Sequence, residues 1–305
     1  MRGVWVVGAV LTACSFEHGA LSMSGDGSMQ GNDGSTIDVP PMVWNTPVDM
    51  GLSTGYGDDD PSLTDDLLEI YWGSRRPGGQ GLEDIWFATR TSSTGTWSAP
   101  APAVALDSAA TETTGKITGD GLSIFFTSTR GPGGDPDIYF SRRDNRSAAW
   151  DPPVKVNELS VMNNGDYGPY AQSNLLHVIW CAGASVPYEA LWISNRGVTS
   201  DPWGTPAKVS ELDEANTSEC DPMEPHPRAM YYASNRLSTL VPARYDIYRV
   251  SRATVTDAYG SRTAVDGVNT VDYNDRDPWV SADERTMIFS RDRDGGIDKL
   301  YMTTR

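Results

Sequence analysis

The chain repeats itself about every 53 residues, and this period constrains its fold more than any other feature. An arginine closes an aromatic segment five times, at steps of 53, 53, 56 and 53 residues: Arg90, Arg143, Arg196, Arg252 and Arg305. Seven residues after each of the first four arginines stands an aromatic residue: Trp97, Trp150, Trp203 and Tyr259. A second aromatic column is Trp72, Phe126, Trp180, Tyr232 and Phe289. These registers indicate five copies of one structural unit.

Each unit is predicted to contain four short strands. In the first unit, strand A begins near Asp60-Pro61, strand B covers 70–74 and strand C covers 84–87, after the glycine-rich loop at Pro77. The fourth strand carries the Trp and a Pro three residues later. Four short strands per unit, separated by turn residues, are typical of propeller blades. No apolar stripe of helical period and length follows the N-terminus.

The ends of the repeat predict how the ring closes. The fifth unit stops at Arg305 without a fourth strand, whereas Trp44 and Pro47 repeat the Trp-x-x-Pro pattern of that strand. We therefore expect an all-β protein, a single five-bladed β-propeller of four-stranded blades over residues 41–305, closed by an N-terminal strand. Closure removes the exposed strand edges that would otherwise pair with other chains.

The N-terminus predicts export and lipid anchoring. Arg2 and an apolar run over 4–11 precede Leu11-Thr12-Ala13-Cys14, which resembles a bacterial lipobox. Residues 1–13 are therefore predicted to be a lipoprotein signal peptide and Cys14 the lipidated residue; the alternative is an ordinary secretory leader with a chance cysteine. Residues 14–40 are predicted to be a lipidated flexible tether that reaches about 28 Å. Ser15 favours the outer membrane, so the expected location is the cell envelope, periplasmic or surface-exposed.

The net charge of −17 limits the partners of the chain. A strongly acidic surface disfavours nucleic acids and anionic lipid, so membrane contact is expected through the lipid anchor only. An envelope protein, a basic peptide, a cation or a neutral glycan remains as the expected partner, and the chain is expected to be monomeric.

The repeat also resembles a known family. Asp-Pro, then Ile-Phe-Phe-Thr-Ser-x-Arg followed by Gly-Gly, then Asp-Ile-Tyr, is similar to the TolB-type, WD-like β-propeller repeat and covers about 265 residues, 41–305. TolB itself is expected to have a six-bladed ring and an additional N-terminal domain, whereas this chain has five repeat units and a tether. The resemblance implies a binding or scaffold role in the envelope, and by analogy only.

Two motifs that suggest catalysis or metal binding have structural interpretations. The G-x-S-x-G pattern over 51–55 lies in the loop between blades, where other units carry similar residues, so the repeat explains it. The three histidines, His18, His177 and His226, have no metal-ligand spacing. Neither motif predicts a site.

The best candidate site is an acidic column, 13 or 14 residues before each strand B aromatic: Asp58, Glu112, Asp166, Glu219 and Asp275. Since strand A is innermost in a propeller, these carboxylates are predicted to surround one mouth of the central channel. The alternative is that each accepts hydrogen bonds from loop backbone or from an arginine column at the end of strand B: Arg76, Arg130, Arg236 and Arg293.

The third unit has Ala184 in place of the arginine, so Asp166 is predicted to be the acid without a basic partner. We expect Asp166 and Glu219 to contact a cation or a basic group, with Trp180 or Tyr170 as an aromatic wall. Ca²⁺ is the one cofactor this arrangement suggests. A disulfide between Cys181 and Cys220 is a further hypothesis, since an oxidising compartment is expected.

The predicted function is binding or scaffolding without catalysis. The alternative is a glycoside-hydrolase-like propeller enzyme that uses channel-mouth carboxylates, and a third reading is a purely structural repeat domain. An enzyme is expected to break the repeat by gaining an acid. The third unit, with Ala184, instead loses charge, which favours binding.

Overall fold

The computed structural model describes residues 22–23, 29–30, 36–37, 43–160, 165–185, 188–236, 244–293 and 296–305. The chain forms two compact units, 1–42 and 43–305. In the first, three strands, β1 (Ser22–Met23), β2 (Met29–Gln30) and β3 (Thr36–Ile37), form an antiparallel sheet within the expected tether. Cys14, the predicted lipidation residue, lies outside the described residues. No helix in the described part of the chain is long and apolar enough to cross a membrane.

The second unit consists of five four-stranded antiparallel sheets. Blade 1 contains β5 (Asp58–Leu63), β6 (Glu69–Ser74), β7 (Asp84–Thr89) and β8 (Ala101–Pro102). Blade 2 contains β9 (Glu112–Ile117), β10 (Ser123–Ser128), β11 (Asp137–Arg142) and β12 (Val154–Lys155). Blade 3 contains β13 (Asp166–Ala171), β14 (His177–Ser185), β15 (Tyr188–Asn195) and β16 (Ala207–Lys208). Blade 4 contains β17 (Glu219–His226), β18 (Ala229–Ser234), β19 (Asp246–Ser251) and β20 (Thr263–Ala264).

Blade 5 joins the two ends of the unit. It contains β21 (Asp275–Val280), β22 (Thr286–Arg293), β23 (Ile297–Thr304) and, from the other end of the chain, β4 (Val48–Asp49). The register places Tyr301 opposite Asp49 and Met302 opposite Val48. The predicted all-β, five-bladed propeller closed by an N-terminal strand is therefore confirmed.

The arginine and aromatic columns form one repeated contact. In each blade the arginine that follows strand C lies over the aromatic ring that precedes strand D, as Arg90 lies 4.1 Å from the Trp97 centroid. Its Nε donates to a carbonyl of the turn between strands A and B, as Arg90 does to Leu67 at 2.7 Å. In blade 5 the same contact joins Arg305 to Trp44, at 5.0 Å. The ring is thus closed by side chains as well as by strand pairing.

The second aromatic column lies in the core between neighbouring blades. Trp72, Phe126, Trp180, Tyr232 and Phe289 are completely buried. Burying one large aromatic side chain contributes on the order of 2–3 kcal/mol, so each blade is held by its neighbours as well as by its own strands.

The inner strands share a bulge near the channel. The third residue of each has a positive φ: Asp60 (55°), Thr114 (52°), Gly168 (58°), Asp221 (53°) and Asp277 (56°). The pairing of strands A and B shifts register at or beside these positions in all five blades. A bulge of this kind redirects a side chain relative to the regular pleat.

Candidate functional site

The predicted acidic column is buried, and its members are hydrogen-bonded inside their own blades. Each residue opens an inner strand, and all five have no exposed surface. Asp58 accepts bonds from the Thr54 backbone N–H at 2.6 Å and from Trp72 Nε1 at 3.0 Å, and it pairs with Arg76. These contacts join the loop that enters the blade, the D–A loop, to strand B.

The other four members have equivalent contacts. Glu112 accepts from the Ser108 backbone N–H at 2.7 Å, and Asp275 accepts from that of Thr270 at 2.7 Å. Trp180 Nε1 donates to Asp166 at 3.0 Å, so the acid expected to lack a basic partner is bound by an indole. Glu219 Oε1 accepts from Thr217 Oγ1 at 2.7 Å and from Ser234 Oγ at 3.2 Å, while its Oε2 has no hydrogen-bond partner among the described residues. These contacts match the alternative given for the column, in which each acid accepts hydrogen bonds from its own blade and the loop that enters it.

In blade 5 it is Arg291 that pairs with the acid of the column, with Nε 2.6 Å from Asp275. The reason is register: Asp275 lies directly opposite Arg291, at the position where Asp58 faces Ser74. The side chain of Arg293, the expected partner, lies outside the described part of the chain. In blade 4, Arg236 instead pairs with Glu214 in the D–A loop, at 2.6 Å.

The predicted aromatic wall is also corrected. Trp180 is completely buried in the core, and the Tyr170 hydroxyl donates to the Glu224 carbonyl at 2.7 Å. The aromatic residues that line the channel cavity are instead Tyr167 and Tyr245. Trp180 packs between blades because strand B lies outside the innermost strand, and Tyr170, on the inner strand β13, is bonded to the neighbouring blade.

A cavity of about 310 Å³ opens where the inner strands begin, and we call it the axial cavity. It is lined by six carboxylate side chains and two arginines, with threonine, tyrosine and cysteine side chains: Asp59, Asp60, Glu83, Glu189, Asp221, Asp277, Arg75, Arg276, Thr113, Thr114, Tyr167, Tyr245 and Cys220. Three of the bulge residues, Asp60, Asp221 and Asp277, place carboxylate oxygens within 4.8 Å of one another. Such a group has the ligand type and spacing to hold a cation.

Several oxygens around this cavity have no donor. Within the described residues, one oxygen each of Asp59, Asp60 and Glu83 is buried without a hydrogen-bond partner. The basic groups nearby are few: Arg75 lies 2.9 Å from Glu83, and Lys116 Nζ lies 3.5 Å from Asp60. Six carboxyl groups thus face three cationic groups, Arg75, Arg276 and Lys116, around the cavity.

The crowded carboxylates have perturbed acidities. Burial, with the charges of neighbouring carboxylates, raises the pKa of Asp60 to about 7 and the pKa of Asp221 well above its usual range. Burial also opposes ionisation of Asp277, but Arg276 and hydrogen bonds from Asp221 and Ser290 outweigh it and lower its pKa. Asp221, as the acid, and Asp277, as its conjugate-base partner, thus share a hydrogen bond at the channel axis.

Sequence reasoning missed these three aspartates, although a signal was present. In blades 1, 4 and 5 the bulge residue is the aspartate of an Asp-Pro pair, two residues after the acidic column, whereas blades 2 and 3 have Thr114 and Gly168. The repeat is thus broken near the axis, where blades 2 and 3 lack the aspartate that the other three blades carry. The Asp-Pro pairs were interpreted only as the start of strand A.

Other predicted residues have local partners. Cys181 and Cys220 form a disulfide between blades 3 and 4, with Cα atoms 5.0 Å apart. His177 lies 3.1 Å from Glu224 and His226 lies 2.9 Å from Glu284, each in the next blade. Ser53 of the G-x-S-x-G segment accepts a hydrogen bond from the Leu300 backbone N–H at 2.8 Å, as a residue of the loop.

Comparisons with known proteins give the fold alone. No family model matches the chain, and no curated protein sequence matches it. A GH43 endo-arabinanase from Bacillus licheniformis is 12% identical with a TM-score of 0.55, over 85% of this chain and 95% of that chain. A family 117 glycoside hydrolase from Zobellia galactanivorans is 13% identical with a TM-score of 0.55, over 86% of this chain and 90% of that chain.

A putative TolB from Agrobacterium tumefaciens is 18% identical, over 78% of this chain and 71% of that chain, with a TM-score of 0.49. At that score the similarity supports no functional conclusion. The structures similar to this chain therefore include both TolB and glycoside hydrolases.

Proposed function

We propose that the protein is a non-catalytic binding propeller of the cell envelope whose axial cavity receives a basic side chain of a protein or peptide partner. The observation that carries this proposal is the charge of the cavity, six carboxylates against two arginines in about 310 Å³. A buried excess of negative charge is costly, and a bound cation relieves it.

The donor groups favour an ammonium or guanidinium ligand. The buried oxygens of Asp59, Asp60 and Glu83 that lack partners each accept an N–H hydrogen bond readily. Tyr167 and Tyr245 add aromatic surface to the cavity, and aromatic faces attract cations. A basic side chain satisfies both features at once.

Exposed apolar residues on the same loops favour a macromolecular partner. Tyr56, Leu82 and Val271 are 58%, 81% and 86% exposed. Tyr56 and Val271 lie in D–A loops, and Leu82 lies in the B–C loop beside Glu83, which lines the cavity. Apolar side chains around a charged recess are typical of protein interfaces.

The spacing of Asp221 and Asp277 does not favour glycoside hydrolysis by this pair. Their carboxyl groups share a hydrogen bond and are therefore closer than the two carboxyl groups of a glycosidase. Glycosidases separate their two carboxyl groups by about 5–5.5 Å when retaining and about 6.5–9.5 Å when inverting. The shared fold does not supply chemistry by itself.

Attachment at Cys14 completes the proposal, and it rests on the lipobox-like Leu-Thr-Ala-Cys segment. Acyl chains on that residue would hold the propeller at a membrane. Replacement of Cys14 by Ser is expected to move the protein from the membrane fraction to the soluble fraction.

The binding proposal is tested with the full chain by fluorescence anisotropy. The probes are a labelled Ala-Leu-Lys-Leu-Ala peptide and its acetyl-lysine analogue, which lacks the positive charge. We expect the lysine peptide to bind at least tenfold more tightly, and Asp60→Asn and Asp277→Asn to weaken its binding at least tenfold. Asn tolerates a positive φ, so these variants preserve the bulge.

Asp272→Asn is the matched control, because Asp272 is an exposed acid of the D–A loop before blade 5. Its affinity for the lysine peptide is expected to stay within twofold of the wild-type affinity. Equal binding of the two peptides, or equal losses in all three variants, would reject the cavity as the binding site. Release of reducing sugar from arabinan by the wild type, lost in Asp221→Asn, would instead establish an enzyme.

A further inference from the structure

A second group of buried carboxylates lies at the boundary between blades 1 and 2. Asp84 opens β7, Asp107 lies in the D–A loop, and Glu112 opens β9. Each offers one oxygen within 4.8 Å of the other two, and all three residues are buried. Arg130 Nη2, 3.2 Å from Glu112, supplies one positive charge against three carboxylates.

The backbone contact of Asp107 does not require a charge. It accepts a hydrogen bond from the Ile85 backbone N–H at 2.9 Å, and neutral side chains do the same at three other boundaries. These are Ser53 to Leu300 at 2.8 Å, Ser160 to Ile138 at 3.0 Å and Asn269 to Ile247 at 2.8 Å. The negative charge of Asp107 therefore exceeds what the strand needs.

The second oxygen of Asp107 is the independent observation that points to a ligand. Asp107 is 8% exposed, so it is more than nine-tenths buried. Among the described residues its Oδ2 has no hydrogen-bond partner, although Asp84 and Glu112 lie beside it. A buried anionic oxygen without a donor costs free energy unless a cation neutralises it.

Blade 2 shows how one of these acids is compensated elsewhere. Asp137, the counterpart of Asp84, lies 2.6 Å from Lys155 Nζ. Lys155 faces Tyr139 in the strand register, and the residue that faces Trp86 at the same position of blade 1 is Pro102. Blade 1 lacks this ammonium group, and Asp84 instead accepts neutral backbone N–H bonds from Gln80 at 3.0 Å and Gly81 at 2.9 Å.

We propose that Asp84, Asp107 and Glu112 bind a divalent metal ion of the Ca²⁺ class. Carboxylate oxygens are hard ligands that suit Ca²⁺ and Mg²⁺ rather than softer transition metals. The ion joins the B–C loop of blade 1, the D–A loop and the first residue of blade 2, so it stabilises the boundary between the blades. This site does not contain the axial aspartates and does not depend on the proposed function.

The full chain, stripped with EDTA, tests the proposal by calorimetric titration with CaCl₂ and MgCl₂ and by thermal melting. We expect the wild type to bind Ca²⁺ and to melt at a higher temperature with it. Asp107→Asn copies the residue of blade 5, so it keeps the backbone contact; it is expected to weaken Ca²⁺ binding at least tenfold and to lose the melting shift.

Asp137→Asn is the matched control and is expected to keep both effects, because Asp137 has Lys155 as its partner. Asp60→Asn separates the two sites: if it abolishes Ca²⁺ binding while Asp107→Asn retains it, the ion binds at the axis and the proposal is wrong. A wild type without binding heat or melting shift would also overturn it, and Asp107 would then be a protonated backbone cap.

Discussion

At the scale of single residues, the bulge position determines which side chains reach the channel axis. A positive φ is costly for most side chains and is tolerated best by Gly, Asn and Asp. Three of the five bulge residues are aspartates, Asp60, Asp221 and Asp277, and they lie on three consecutive blades. A strained backbone position at a candidate site is consistent with a functional role there.

The raised pKa of Asp60 predicts how stability depends on pH. Burial, and then the charge of Asp277, raises its pKa from 3.8 to about 7. Between about pH 4 and 7 the folded state holds a proton that the unfolded state has lost, so stability falls as pH rises through this window. We expect the free energy of unfolding of Asp60→Asn to exceed that of the wild type by on the order of 1–3 kcal/mol at pH 8 and to match it at pH 4.

Urea unfolding at both pH values measures this difference. A variant that is less stable than the wild type at pH 8 would mean that the ion pair with Lys116 outweighs the cost of burial. The same titration predicts weaker binding of the lysine peptide at pH 5 than at pH 8, because a protonated carboxyl no longer attracts a cation.

His177 predicts a loss of stability in the same direction, as pH rises through neutrality. Burial lowers its pKa, but the hydrogen bond and charge of Glu224 outweigh this and raise it above 6.5. Its contribution is therefore complete below about pH 6.5 and is lost as pH rises through the folded pKa. We expect His177→Gln to lower the free energy of unfolding by about 1 kcal/mol at pH 5.5 and to change it little at pH 9.

The control for this variant is His226→Gln, since Glu284 keeps Arg249 at 2.8 Å. His226→Gln is expected to lose less unfolding free energy at pH 5.5 than His177→Gln loses. Equal losses at pH 5.5 and pH 9 for His177→Gln would show that the imidazole acts through packing rather than through charge.

At the scale of elements, adjacent blades are joined by contacts between their strands as well as by loops. The disulfide between Cys181 in β14 and Cys220 in β17 is one such contact, and the two cysteines are 39 positions apart in sequence. A cross-link of this length restricts the unfolded chain.

We expect the purified protein to lack two hydrogens by intact mass before reduction, and the Cys181→Ser, Cys220→Ser double variant to lose about 2–4 kcal/mol of stability. Cysteines that react with iodoacetamide in the unfolded, unreduced protein would contradict the bond.

At the scale of the whole molecule, the ring is completed by two distant parts of the chain. The Asn45 backbone N–H donates to the Thr304 carbonyl at 2.9 Å, and the Thr303 hydroxyl donates to the Asn45 carbonyl at 2.6 Å. These contacts remove the free edge of blade 5, which would otherwise leave the core between blades 5 and 1 open.

Deletion of residues 41–53 is therefore expected to lower the melting temperature of the whole propeller by many degrees. Deletion of residues 15–38 is expected to leave it unchanged, because those residues lie outside the 43–305 unit. Differential scanning calorimetry compares the two proteins, and equal melting temperatures would contradict closure by the N-terminal strand.

The sequence by itself determined the blade count, the four strands of each blade and the closure of the ring, although the fourth strand begins after the Trp and Pro that were expected within it. Five registers of Arg and aromatic residues specify these features, because each pair makes the same contact in every blade. It also identified the acidic column, since a buried carboxylate at a fixed distance from a buried aromatic is part of the repeat.

Only the tertiary structure decided which acids face the channel. Asp58 and Asp60 are two residues apart on one inner strand, and a regular pleat would direct both to the same face. The bulge between them breaks that alternation, so Asp58 is held by its own blade while Asp60 meets Asp221 and Asp277 at the axis. These three aspartates are 56 to 217 positions apart in sequence. They come together because of how the blades close into a ring, which no local sequence pattern predicts.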